Sequence, residues 1–181
     1  MTLPQWLALY IKGEVLNLYI KKFIDQLVSK SLLKESDITC EFRDASYPVG
    51  AISTLQGIEN VCFSPDCYDS ADEIVEAFYP IADGRMKIEL LGEGESDDGE
   101  YEVLLRINGD NVLIKERIYP LAYYSAVNEI IGIFNEVCDF KVVVESFSGE
   151  EVFCVLVGKD LADFINKYQD NVNYDELHTE V

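Results

Sequence analysis

The residues of this chain that could do chemistry are mostly carboxylates. There are 34 Asp and Glu against 14 Lys and Arg in 181 residues, with a single histidine and five cysteines. A serine or cysteine nucleophile needs a base beside it, and the only histidine, His178, lies three residues from the end of the sequence in a polar stretch. No Gly-x-Gly-x-x-Gly follows a strand pattern and no Walker lysine motif occurs. The glycines of Gly92-Glu93-Gly94 sit among acids that would repel a phosphate. Cys62 and Cys67, with four residues between them, are spaced more widely than a zinc knuckle, and no second pair or nearby histidine completes a site. Two carboxylates can suffice for glycoside hydrolysis, but among 34 acids the spacing does not set a catalytic pair apart from solvated surface. The expectation is a protein without metal, cofactor or catalysis.

The acids are more informative as a surface. Glu93, Glu95, Asp97, Asp98, Glu100 and Glu102 put six carboxylates into ten positions, in a spacing that does not fit a calcium-binding EF-hand loop. The segment reads either as a solvated hairpin tip or as a contact loop for a basic partner. A second run holds Glu59, Asp66, Asp69, Asp72, Glu73, Glu76 and Asp83, with no Lys or Arg between Asp44 and Gly84. Asp72 and Glu76 are four apart on a predicted helix, a like-charge pair costing roughly a few tenths of a kcal/mol. The positive end of that helix offsets part of this cost. Phe63, Tyr68 and Tyr79 lie nearby and are of the residue class that anchors protein interfaces. The candidate partner-binding set is therefore Asp66, Tyr68, Asp69, Asp72, Glu73, Glu76 and Tyr79, joined by Glu93, Glu95, Asp97, Asp98 and Glu100.

The elements that must position these residues follow from hydrophobic period and punctuation. Leu9, Leu16, Ile20, Phe23, Ile24 and Leu27 recur at helical spacing after a capping box at Thr2 and Gln5, with Pro4 in the first turn. Weak alternation predicts short strands at 38–43, 50–55 and 60–63, separated by a turn at Tyr47-Pro48-Val49-Gly50. Ser70 and Glu73 form a second capping box before Ile74, Val75 and Phe78, and Pro80 is expected to end that helix. Three strands follow, carrying Met86 to Leu90, Tyr101 to Ile107, and Val112 to Ile118, with Asn108-Gly109 as a hairpin turn. Pro120 opens a helix to about Val137. Strands at 140–147 and 151–157 flank Ser148-Gly149-Glu150, and Asp160 caps a last helix with Leu161, Phe164 and Ile165 inward. Hairpins outnumber crossovers, so the predicted class is α+β, an antiparallel sheet of hairpins packed with about four helices.

The length suits a single domain over 1–181, with an N-terminal helical segment at 1–35 and a loose polar tail at 170–181. Forty-nine per cent hydrophobic and 12% aromatic residues exclude a disordered acidic tail. No run of about 18 apolar residues exists to span a bilayer. The first helix is basic and amphipathic, yet an anionic leaflet would repel the rest of the chain, so no membrane association is expected. The N-terminus has no signal-peptide features. An odd number of thiols inside apolar runs such as Val61-Cys62-Phe63 reads as reduced, buried cysteine in a cytosolic protein.

The formal charge of −20 excludes a direct nucleic-acid binder, which needs a basic stripe. Its distribution is uneven, at +2 over 1–35, −9 over 36–83, −4 over 84–119 and −9 over 120–181. The strands of the middle segment mix signs and can pair across the sheet, whereas 36–83 cannot. A chain with a core, no catalytic set and a large acid excess is suited to binding something basic. In this whole-chain profile it resembles bacterial immunity proteins of the contact-dependent-inhibition and polymorphic-toxin kind, and no site residue is carried over from that resemblance. What the resemblance implies is a protein that neutralises a basic toxin, with a nuclease as the natural target because its cleft must be cationic. The alternatives are a DNA mimic of the anti-restriction type, which would engage a nucleic-acid-binding enzyme, and an acidic adaptor domain whose charge serves solubility.

Overall fold

The computed structural model describes residues 18–63, 68–147 and 151–170. The predicted capping box at Thr2 and Gln5, the Ser148-Gly149-Glu150 turn, His178 and the tail beyond 170 lie outside the described residues. The chain divides into two compact units, one over 59–158 and the other from the segments on either side of it.

In the flanking unit, helix α1 covers 18–29 and turns Tyr19, Ile20, Phe23, Ile24 and Leu27 into the interior. It closes with Ser31 in the left-handed conformation, φ 58°. The Leu32 amide donates to the Leu27 carbonyl at 3.0 Å and Ser31 to Val28 at 2.9 Å, a Schellman closure with serine where glycine is usual. A short 3-10 turn at Glu35–Asp37 leads to helices α2, Cys40–Asp44, and α3, Pro48–Ser53. The strands expected at 38–43 and 50–55 are therefore helical. Thr39 caps α2 by accepting from the Phe42 amide at 3.2 Å, and Pro48 occupies the first turn of α3 rather than a chain reversal. Phe42, Pro48, Val49, Ala51 and Ile52 are the buried residues that hold these two short helices in place. Helix α6, Lys159–Asp170, buries Ala162 and Ile165 and begins one residue before the expected cap at Asp160. Its Tyr168 donates to the Tyr19 carbonyl at 3.0 Å and stacks on that ring at 5.2 Å, while Phe164 stacks on Phe23 at 5.8 Å. Burial pushes the Tyr168 phenol up to about 12.

The 59–158 unit is α+β, with two three-stranded antiparallel sheets rather than the one expected. Strand β1, Glu59–Phe63, pairs with β6, Glu151–Gly158, which pairs with β5, Phe140–Phe147, in the order β1-β6-β5. Strands β2, Ile88–Glu95, β3, Tyr101–Ile107, and β4, Asp110–Glu116, form the meander in the order β2-β3-β4. Asn108 and Gly109, at φ 52° and 100°, make the two-residue turn of its second hairpin. The third strand stops at Glu116, so Ile118 is not part of it but precedes helix α5, Tyr119–Val137, as its N-cap residue.

Helix α4, Ala71–Ala82, packs against β1 and β2, and α5 against β3, β4 and β5. Ile74, Phe78 and Ile81 from α4 meet Phe63, Val103 and Ile130 in one core, with the Phe63 and Phe78 rings 4.6 Å apart. Pro80 does not end α4. It lies in the last turn, on the exposed side, and the helix continues to Ala82. At the other end of α5, the Lys141 ammonium donates to the carbonyls of Asn135 and Cys138, both at 2.6 Å, which suits the negative end of a helix.

The described cysteines, Cys40, Cys62, Cys138 and Cys154, form no disulfide and are only partly buried, and Cys67 lies outside the described residues. Cys154 is interior, and burial pushes its thiol up to about 12. Cys138 is half-buried, Cys40 at the start of α2 is exposed, and Cys62 is exposed because on β1 the inward positions go to Val61 and Phe63.

Candidate functional site

Helix α4 joins the two acidic segments. Its first free amide, that of Ala71, donates to Glu93 Oε2 on β2 at 2.9 Å. Ser70, the predicted cap, is the N-cap residue but makes no side-chain cap. The partner expected for it, Glu73, accepts instead from the Asp69 amide at 3.2 Å. A carboxylate from another element thus supplies the negative charge that a helix N-terminus favours.

Glu93 reaches that position because of a β-bulge. Ile88 faces Ile107 and Leu90 faces Leu105, but Gly92 then faces Leu104, leaving Leu91 as an extra residue. In regular alternation Glu93 would share the outer face with Glu89. After the bulge it lies opposite Val103, whose side chain is fully buried, so it points to the helix side of the sheet. There Oε2 also accepts from the Tyr123 hydroxyl at 2.8 Å and the Tyr101 hydroxyl at 3.3 Å. Glu93 and Glu95 are consequently strand residues, not part of a hairpin tip.

Three tyrosine rings pack around this carboxylate. Tyr119 lies 4.9 Å from Tyr123 and 5.4 Å from Tyr101, both edge to face. The Tyr119 hydroxyl donates to the carbonyl of Tyr68, which ties the segment before α4 to the start of α5. Burial is the main cause that raises the Tyr119 phenol above its ordinary range, and the negative charges of Asp69, Glu93 and Glu73 add to it. The Tyr123 phenol is raised further, again chiefly by burial and then by its bonds to Tyr101 and Glu93. Tyr119, 36% exposed, with Ile118 and Leu121 beside it at the start of α5, forms an apolar patch bordered by Asp69 and Glu73.

Of the predicted set, Tyr68, Asp69, Glu73 and Glu93 come together here. Asp72, Glu76 and Tyr79 form a stripe on the solvent side of α4, which Asp83 extends beyond the helix end. Tyr79 is 67% exposed and does not join the tyrosine cluster. Asp97, Asp98 and Glu100 occupy a separate self-ordered turn. The Ser96 amide donates to the Glu100 carbonyl at 2.7 Å, Gly99 sits at φ 80°, and the Ser96 hydroxyl bonds Asp98. That bond holds the Asp98 carboxyl below the usual carboxylate range. Lys115 lies close to this turn; its ion pair with Glu102 raises the ammonium, with smaller contributions from Asp98 and Glu100. Asp66 lies outside the described residues.

Pairing separates the surfaces. On the outer face of the meander Glu89 binds Lys87 at 2.8 Å and Arg106 at 3.7 Å, and Glu102 binds Lys115. The Lys87 bond holds the Glu89 carboxyl low. Arg85 binds Glu59 at 2.8 Å rather than a strand neighbour. Among the described residues Asp69, Asp72, Glu73, Glu76 and Asp83 make no ion pair. Among the same residues no cluster of three or more His, Cys, Asp or Glu is placed to hold a metal ion, and no helix is long and apolar enough to cross a membrane.

Tyr101, Tyr119 and Tyr123 did not figure among the residues expected from the sequence. Their signal is the four-residue spacing of Tyr119 and Tyr123, which sets two phenols on one helix face. Gly92 and Gly94 around Glu93 are a further signal, since glycine in a strand often marks a bulge. No family model matches this chain, and no curated protein and no solved structure matches it.

Proposed function

We propose that this chain is a binding protein that neutralises a basic protein, a nucleic-acid-cleaving toxin, through the acidic surface of α4 and the segment before it. The observation that carries this reading is the unpaired state of Asp69, Asp72, Glu73, Glu76 and Asp83 among the described residues, while the acids of the meander face are largely matched by bases of the same sheet. Unmatched carboxylates along one helix make a field that attracts cations, and a toxin that cuts nucleic acid must expose cations in its cleft. Tyr119, Ile118 and Leu121 supply apolar contact area next to the charge, the composition that interface centres use. The bulge-aimed Glu93 fixes the relation between the two, because one carboxylate holds α4, β3 and α5 together.

The test is affinity isolation with the full chain from the organism that encodes it, followed by assay of the captured material for nuclease activity. The expected result is a stoichiometric complex with a basic nuclease whose activity is suppressed and whose association slows as salt rises. Recovery of no basic partner, together with turnover of a small substrate by the purified chain, overturns the reading.

A further inference from the structure

Strand β2 is an edge of its sheet, and its first half borders a groove of about 560 Å³ against the second half of α4. Val75, Tyr79 and Ala82 line the helix side, and Met86, Ile88 and Glu89 the strand side. The ladder fixes which backbone groups face that groove. The Asn108 amide donates to the Lys87 carbonyl at 2.9 Å, and the Lys87 amide donates to Asn108 Oδ1 at 3.0 Å, so position 87 bonds toward β3. In an antiparallel pair bonded and non-bonded positions alternate, so the amides and carbonyls of Ile88 and Leu90 point away from β3. Among the described residues no turn, cap or side-chain bond engages them.

We propose that this free edge takes up an extended, basic segment of the protein partner, which adds a fourth strand beside β2. The inference rests on the reading of the chain as a binder of a basic protein and names the site where part of that protein would lie. An unsatisfied strand edge is a template for another strand, with main-chain bonds giving affinity and alternate side chains giving selectivity. Residues of the added strand that share a face with Ile88 and Leu90 would enter the apolar groove, and their neighbours would project beside Glu89. Charge selects a basic occupant. The groove's own cations are already engaged, Arg85 by Glu59 and Lys87 by Glu89, whereas Asp83 lines it, and Asp72 and Glu76 share the solvent-side stripe of α4 with its lining residue Tyr79, all three acids without ion pairs among the described residues. Tyr79, mostly exposed on that stripe, can cover the stem of a lysine or stack on an arginine.

A capped synthetic peptide of alternating lysine and valine is the probe, with an alternating glutamate and valine peptide as control. Binding of the basic peptide to the full chain should slow amide hydrogen exchange at Ile88 and Leu90 by about tenfold or more, the scale of one buried main-chain bond gained or lost. Leu90→Pro removes the outward amide, a tolerated use of proline at an edge, and should weaken the peptide by about tenfold, although it also trims a side chain packed against the core. Tyr79→Ala, at an exposed position, should weaken it in a folded chain and decides the matter if the proline variant does not fold. No binding, equal binding of the acidic peptide, or binding without protection of Ile88 and Leu90 overturns the proposal. A basic nuclease that still binds Leu90→Pro at full affinity overturns strand addition while leaving the neutralising role intact. Peptide capture without any basic protein partner overturns only the wider role.

Discussion

Glu93 ties the start of α4 to β3 and α5. One carboxylate oxygen accepts from a helix amide and from two tyrosine hydroxyls. Glu93→Ala leaves the buried Tyr123 hydroxyl and the Ala71 amide without their acceptor and should lower unfolding stability by about 2 kcal/mol. Glu93→Gln keeps an acceptor and loses the charge at the helix end, so about 1 kcal/mol is expected. Urea midpoints of the two variants check the order, and equal losses would assign the whole effect to charge. Tyr123 makes a pH prediction. Its phenol is raised in the folded chain, so above the ordinary tyrosine value of about 10 the unfolded chain releases a proton that the folded chain keeps. Stability from this group is therefore complete below about pH 10 and falls as pH rises beyond it. Tyr123→Phe should flatten that alkaline loss in denaturation curves, and an unchanged slope would place it in other tyrosines such as Tyr168.

Between elements, the bulge at Leu91 determines what the acidic strand does. Deleting Leu91 removes the extra residue and leaves a regular ladder in which Glu93 still lies opposite Val103, on the helix side. In that background Glu93→Ala should still cost about 2 kcal/mol, as in the parent chain. A loss below about 0.5 kcal/mol in the deletion background would show that the pairing with Val103 does not by itself position the carboxylate. The same feature marks where the sequence was legible. The periods of α4 and α5 and the Asn108-Gly109 turn are local signals, and the structure follows them. A bulge shifts the parity of everything after it, so Glu93 and Glu95 read as loop acids when alternation is assumed. Helices α2 and α3 span only one or two turns, too short for periodicity to show, and burial of Phe42, Val49 and Ile52 decides their form. The second sheet depends on β1 meeting β6, a pairing between strands far apart in the chain that no local pattern reports. Half of the candidate surface, the acids of α4, was legible from charge alone. The tyrosine cluster was not, because it forms only when β3, α5 and the residues before α4 converge.

At the scale of the whole molecule, the −20 charge is partly balanced on the meander face and unbalanced along α4. Reversing Asp72, Glu73 and Glu76 to lysine should slow association with a basic partner by about tenfold or more at low salt. Stopped-flow rates measure this, and an unchanged rate would remove α4 as the docking surface. A consequence of the chain's path concerns synthesis. Glu59 and Gly158 bound a contiguous unit, entered and left on the paired strands β1 and β6, while the other unit is assembled from segments on either side. The aromatic contacts of Tyr19 and Phe23 with Phe164 and Tyr168 therefore wait for α6 to be translated. At roughly 5–20 residues per second that delay is on the order of ten seconds. Helix α1 leaves the ribosome well before α6, which carries its aromatic partners. Nascent chains halted before α6 emerges should protect 59–158 from protease while α1 remains cleavable, leaving a stretch rich in apolar side chains open to chaperones in the interval.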